Sequence, residues 1–90
     1  MLNPTYTSLF KKDRELMKKR NKNLNKLTEV LLLLINEQPL LPKHKDHPLH
    51  GEYHGKWECH IEPDWLLIYR IEKKNQQIIF YRTGSHSDLF

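Results

Sequence analysis

Imidazoles dominate the chemistry open to this chain. Five of its six histidines lie between His44 and His60, and the sixth is His86 in the stretch Arg82-Thr83-Gly84-Ser85-His86-Ser87-Asp88-Leu89-Phe90. Histidine is the side chain whose ordinary pKa lets it give and take protons near neutral pH. Such a concentration points to proton transfer, metal binding or contact with an anion. A structural zinc site is disfavoured by spacing. His44, His47 and His50 step by three, but Pro48 and Gly51 interrupt any helix there, and no Cys-x-x-Cys or His-Glu-x-x-His pattern supplies a tetrahedral set. Acid–base chemistry fits better, because His47, His60, Asp64 and His86 come from four separate places in the chain. Cleavage of RNA by its own 2′-hydroxyl needs a base, an acid for the departing 5′-oxygen and positive charge at the phosphate, and no cofactor. Cys59, the single cysteine, falls on the core side of its strand, and the serines lack a nucleophile-elbow motif, so a covalent mechanism is poorly supported.

The elements that must position these groups are legible in the periodicity. Asn3 to Thr7 reads as a brief edge strand that runs into a helix start at Thr7 or Ser8. Leu9, Phe10, Leu16 and Met17 then recur about two turns apart among Lys11, Lys12, Arg14, Lys18 and Lys19, the pattern of an amphipathic helix with a basic outer face. Leu24, Leu27, Leu31 and Leu34 define a second helix, ended by Pro39. Gln38 to Gly55 reads as a long functional loop. Lys56 to Glu62 alternates, with Trp57, Cys59 and Ile61 inward and Glu58, His60 and Glu62 outward. Pro63-Asp64 is a turn, Trp65 to Ile71 a central strand, Glu72 to Gln77 a hairpin loop and Ile78 to Arg82 the last strand, after which Gly84 releases a short tail. The expectation is one α+β domain over residues 1–90, its two N-terminal helices packed on one face of a small antiparallel β-sheet. His60 and the strand ends then line the uncovered face, with the His44 to His54 loop and His86 at its rim.

Composition narrows the partners. Residues 1–48 hold 10 Lys and Arg against 5 Asp and Glu, whereas residues 49–90 hold 5 against 6, and eight of the cations lie between Lys11 and Lys26. That density suits a polyanion, either nucleic acid or an acidic protein. The longest apolar run, Val30 to Ile35, is far shorter than the roughly 20 residues that cross a bilayer, so no membrane partner is expected. A lone cysteine and the absence of a signal-peptide layout suggest a cytoplasmic setting. Asp64-Trp65 offers a carboxylate that could charge a histidine and an aromatic that could stack a base or serve the core. Phe90 suggests base stacking or tail docking.

Lys45-Asp46-His47-Pro48-Leu49, Gly55, His60, Pro63-Asp64-Trp65, Ile68-Tyr69 and the whole Arg82 to Phe90 stretch resemble the YafQ branch of the RelE/ParE toxin superfamily. The resemblance covers nearly the full length. It implies a toxin of a type II toxin–antitoxin pair: a ribosome-dependent mRNA endoribonuclease with a small RNase-like fold, inhibited by an antitoxin that wraps it. It places the catalytic set on His47, His60, Asp64 and His86. Substrate contacts would come from Trp65, Arg82 and Phe90, and the basic N-terminal helices would meet ribosomal RNA. His86 is expected as general acid, His47 or Asp64 as base, and His60 at the phosphate, with no metal and no cofactor. His44, His50 and His54 receive no role. RelE itself relies on Lys, Arg and Tyr, so the mechanism would transfer only from the histidine-bearing branch. The rival readings are a non-catalytic basic module that binds nucleic acid or a protein partner, and a zinc-dependent function.

Overall fold

The computed structural model describes all 90 residues. Strand β1 (Asn3–Tyr6) leads into α1 (Ser8–Lys19), whose N-cap Thr7 accepts a hydrogen bond from the Phe10 amide at 3.0 Å. Helix α2 (Leu24–Ile35) is capped by Asn23 and stops at Asn36, followed by Glu37 at φ 56°, so it ends before Pro39 is reached. A loop with two 3₁₀ turns, Pro42–His44 and Gly51–Tyr53, encloses the two-residue strand β2 (His47–Pro48). Then come β3 (Trp57–Glu62), β4 (Trp65–Glu72) and β5 (Gln77–Gly84), and the chain finishes in a one-turn helix, α3 (His86–Leu89).

The five strands form one sheet in the order β1-β5-β4-β3-β2. All pairings are antiparallel except β1 with β5, which run parallel from Asn3↔Gln77 to Tyr6↔Phe80. The α+β class holds, and the parallel edge is a departure from the all-antiparallel expectation. The long connection between β1 and β5, which contains both helices and the three other strands, permits it.

One face of the sheet carries the main core. Phe10 and Met17 from α1 and Leu27, Val30, Leu31 and Leu34 from α2 pack on Cys59, Ile61, Trp65, Leu67, Tyr69, Ile78 and Phe80. The buried line of α1 is Phe10, Asp13 and Met17, so Leu9 and Leu16, expected in the apolar stripe, are exposed. Asp13 belongs in that line because Arg82 donates to it from Nε at 2.9 Å and Nη2 at 2.8 Å, and the Thr83 amide at 3.2 Å. Nor is the second face bare. Leu66, Ile68 and Leu89 are buried there, with Leu49, Tyr53 and Tyr81 packed around them. The tail therefore folds back as α3 rather than trailing, and Ser85-x-x-Asp88 is the capping pattern that marks its start.

Trp65 requires a correction. It is fully buried (0% exposed), and its indole N–H donates to Thr83 Oγ1 at 2.9 Å, so it is a core residue and offers no face to a base. Trp65→Ala is expected to lower stability by about 3–5 kcal/mol in a urea titration. A base-stacking tryptophan on the surface would shift the midpoint little.

Candidate active site

His60 stands in β3 opposite Leu66, and His47 in β2 opposite Glu58, so the register places both rings on the face away from α1 and α2. Asp64 occupies the β3–β4 turn, and His86 opens α3 just beyond β5. The four side chains converge. The rings of His47 and His60 lie 6.2 Å apart and those of His60 and His86 5.8 Å apart, while His86 Nδ1 is 2.6 Å from Asp64 Oδ1. The same Asp64 oxygen accepts the His86 backbone N–H at 2.9 Å.

Two of the ring tautomers follow from their partners. A carbonyl oxygen can only accept, so His47 Nδ1, 2.7 Å from the Lys45 carbonyl, carries a proton, and in the neutral ring the lone pair lies on Nε2. Asp64 is held ionised, its carboxyl below the usual range because the His86 amide and then the His86 ring donate to it. His86 Nδ1 is thereby the protonated nitrogen, and Nε2 faces the cluster.

Glu58 was expected on the solvent side of its strand and given no role. It is only 5% exposed, with Oε1 3.3 Å from His60 Nε2 and Oε2 3.8 Å from His47 Nε2. Alternation assigns Glu58 to the outward face correctly but cannot show that β2 pairs beside it and sets His47 opposite. Outward Glu58 and His60 separated by one residue were the available signal. Glu58, His60 and His86 each offer a ligand atom within 4.8 Å of the others, a donor set of two imidazoles and one carboxylate that suits a divalent transition metal. Beside His60 a cleft of about 200 Å³ is lined by Lys43, Lys45, Glu62 and Pro63, which puts two cations next to the cluster that spacing did not single out.

Arg82, expected as a substrate contact, is engaged by Asp13, which raises its pKa and occupies Nε and Nη2, so only Nη1 is left outside that pair. Phe90 is 63% exposed and meets Tyr53 edge-on at 5.4 Å, at the rim next to α3 and open to a ligand. His44, expected as an idle surface residue, is buried, and its Nδ1 accepts the Leu41 amide at 3.1 Å; burial lowers its pKa. The strand bearing His47 is anchored by its neighbour, since the Tyr69 hydroxyl donates to Asp46.

Comparison with known proteins gives a consistent picture. A family model described as bacterial toxin of type II toxin-antitoxin system, YafQ, matches residues 2–90. The mRNA interferase toxin YafQ of Escherichia coli K12 is 45% identical over 86 residues, covering 94% of this chain and 91% of its own length. Among solved structures, a metal-bound toxin from Helicobacter pylori superimposes with a TM-score of 0.93 at 43% identity, with both chains covered fully. YafQ in the Escherichia coli DinJ–YafQ complex gives 0.91 at 42% identity, covering 100% of this chain and 99% of its own.

The charge pattern makes stability depend on acid in two steps. His44 has a depressed folded pKa, so the unfolded chain takes up a proton there first, below about pH 6.5. Asp64, Asp88 and Glu62 are also depressed: Asp64 by His86, Asp88 by Arg20 and then Ser85, Glu62 by Lys26 and Lys22. Their contribution is complete above the unfolded carboxylate range and declines as pH falls below about 4. Urea midpoints measured from pH 7 to 2.5 should drop in both windows. Asp88→Asn should flatten only the lower one, and a midpoint constant to pH 2.5 would contradict the assignment.

Proposed function

The chain belongs to the YafQ family of type II toxin–antitoxin toxins, and from that membership and the converging imidazoles we propose that it is an mRNA interferase working by general acid–base catalysis. The observation that supports it most is the meeting of His47, His60 and His86 around Glu58 and Asp64 on an accessible face of the sheet. His47 Nε2, with its lone pair fixed by the Lys45 carbonyl, takes the proton of the attacking 2′-hydroxyl. The oxygen then attacks the adjacent phosphate, the bond to the 5′-oxygen breaks, and His86 Nε2 delivers a proton to that leaving group. Asp64 supplies the negative charge that compensates the imidazolium His86 must form. His60, held against Glu58, faces the phosphate together with Lys43 and Lys45. The exposed Phe90 ring stacks a base flanking the cut.

The polyanion surface is α1. Of the eight cations between Lys11 and Lys26, Arg20, Lys22 and Lys26 are ion-paired within the chain, whereas Lys11, Lys12, Arg14, Lys18 and Lys19 are not. Five free cations on one helix suit ribosomal RNA, and their density supports the reading that the chain acts on ribosome-bound message. A cognate antitoxin is the second partner, as DinJ is for YafQ in the Escherichia coli complex.

A metal-dependent reading has one observation in its favour, the Glu58, His60 and His86 donor set. An ion there would occupy both His60 and His86, and the mechanism above needs their nitrogens free. The two readings part under a chelator. Cleavage should continue in EDTA if imidazoles move the protons, and stop if an ion does the work. His86→Ala and His47→Ala should each slow cleavage of ribosome-bound message by about 10² to 10⁴ with circular dichroism unchanged. A 2′-deoxy substitution at the cut site should abolish it. Normal rates in both variants would overturn the acid–base assignment, and no cleavage by the unaltered protein would leave the non-catalytic binding module.

A further inference from the structure

Resting on the reading of His86 as the proton donor, the geometry points to Arg20 as a positioning residue for that imidazole, acting through Asp88. Four residues cannot hold themselves helical in water, so α3 keeps its shape only by what it is tied to. Asp88 is the knot. Its Oδ2 accepts the Ser85 amide at 2.8 Å, and the Ser85 hydroxyl accepts the Asp88 amide at 3.2 Å, a reciprocal cap around the residue that opens the helix, His86.

Arg20 takes both oxygens of the same carboxylate, Nη1 to Oδ2 at 2.7 Å and Nη2 to Oδ1 at 3.0 Å, across 68 residues of chain. A two-point grip fixes the plane of the carboxylate as well as its place. Arg20 is itself rooted, since it ends α1 and its amide donates to the Leu16 carbonyl at 3.0 Å. On the far side a side chain at Gly84 would meet Asp88 Cβ and Oδ2 at 3.0 Å, so the carboxylate is wedged against the end of β5. His86 thus has two supports: Asp64 holds the ring and the first amide, and Arg20 holds the turn from which the ring projects. Although Arg20 lies within the basic cluster, its charge is committed here and is not available to RNA.

The experiment combines Arg20→Ala, Arg20→Lys and Asp88→Asn with single-turnover cleavage. The pair is exposed enough that all three variants should fold. Arg20→Ala should lower kcat about ten- to a hundredfold, the size of effect that misplacing a reacting group produces, with KM unchanged. Arg20→Lys should recover part of this, because an ammonium cannot present the planar fork. In the Asp88→Asn background, Arg20→Ala should cause no further loss. Additive losses, or a rise in KM alone, would overturn the inference in favour of a direct RNA contact. An activity-independent readout is the His86 ring ¹H–¹³C NMR signal, expected to shift and broaden in Arg20→Ala. An unchanged signal overturns the latch even if His86 is catalytic, whereas an active His86→Ala protein would refute the catalytic reading and leave the latch to be judged by that signal.

Discussion

One carboxylate oxygen accepts twice from one residue, and the site depends on it. Asp64 Oδ1 takes both the backbone N–H and the ring Nδ1 of His86, which fixes the start of α3 and the orientation of the imidazole together. The contact joins the β3–β4 turn to the end of the chain. It works only because β4 and β5 pair from Glu72↔Gln77 to Leu66↔Gly84, which brings the end of β5 level with the start of β4. Leu89, buried against Leu66 and Ile68, gives α3 an apolar reason to stay on the sheet, and Tyr53 donates to the Leu89 carbonyl at 3.2 Å. Hydrophobic burial places the helix; hydrogen bonds aim the ring.

Charge is divided between structure and function along the same helix. Asp13 lies on the buried side of α1 and is neutralised by Arg82; Arg20 closes on Asp88; Lys22 and Lys26 share Glu62. These pairs join the helical layer to the turn, the last strand and the C-terminal helix, so three of the molecule's eleven acids serve as tethers. The outward cations of α1 are left without ion-pair partners, and their mutual repulsion would be relieved if a polyanion lay across them. Raising salt would weaken that association while leaving the half-buried Asp13–Arg82 pair nearly intact.

How much could be read from the chain depended on the range of the contact. Helix and strand identities came from local period, and alternation from Trp57 to Glu62 aimed His60 at the correct face. The convergence of His47, His60, Asp64 and His86 was expected and is seen. What failed was decided by distant partners. Asp13 displaced the expected leucines from the buried line of α1 because Arg82, 69 residues away, neutralises it. Trp65 follows a turn, where burial and exposure look alike in sequence, and Thr83 on the neighbouring strand settled it. Glu58 was assigned to the right face but not to the centre of the cluster, since its neighbour His47 reaches it only through the pairing of β2 with β3.

A small domain has little stability to distribute, and this one places its reactive groups on its shortest elements. His47 sits in a two-residue strand and His86 in a one-turn helix, whereas the long central strands β4 and β5 carry the buried mass. Short elements open locally at low free energy, so His86 and His47 can be lost from their places while the sheet stays folded. That explains why each is tied by polar contacts to something rigid: Asp46 to the Tyr69 hydroxyl on β4 beside His47, and Asp88 to Arg20 at the end of α1 beside His86. Such ties add little to global stability when they are exposed, yet they set the direction in which each ring points. Activity and folding are therefore separable in this architecture, and loss of a tether should silence the site well before it melts the protein.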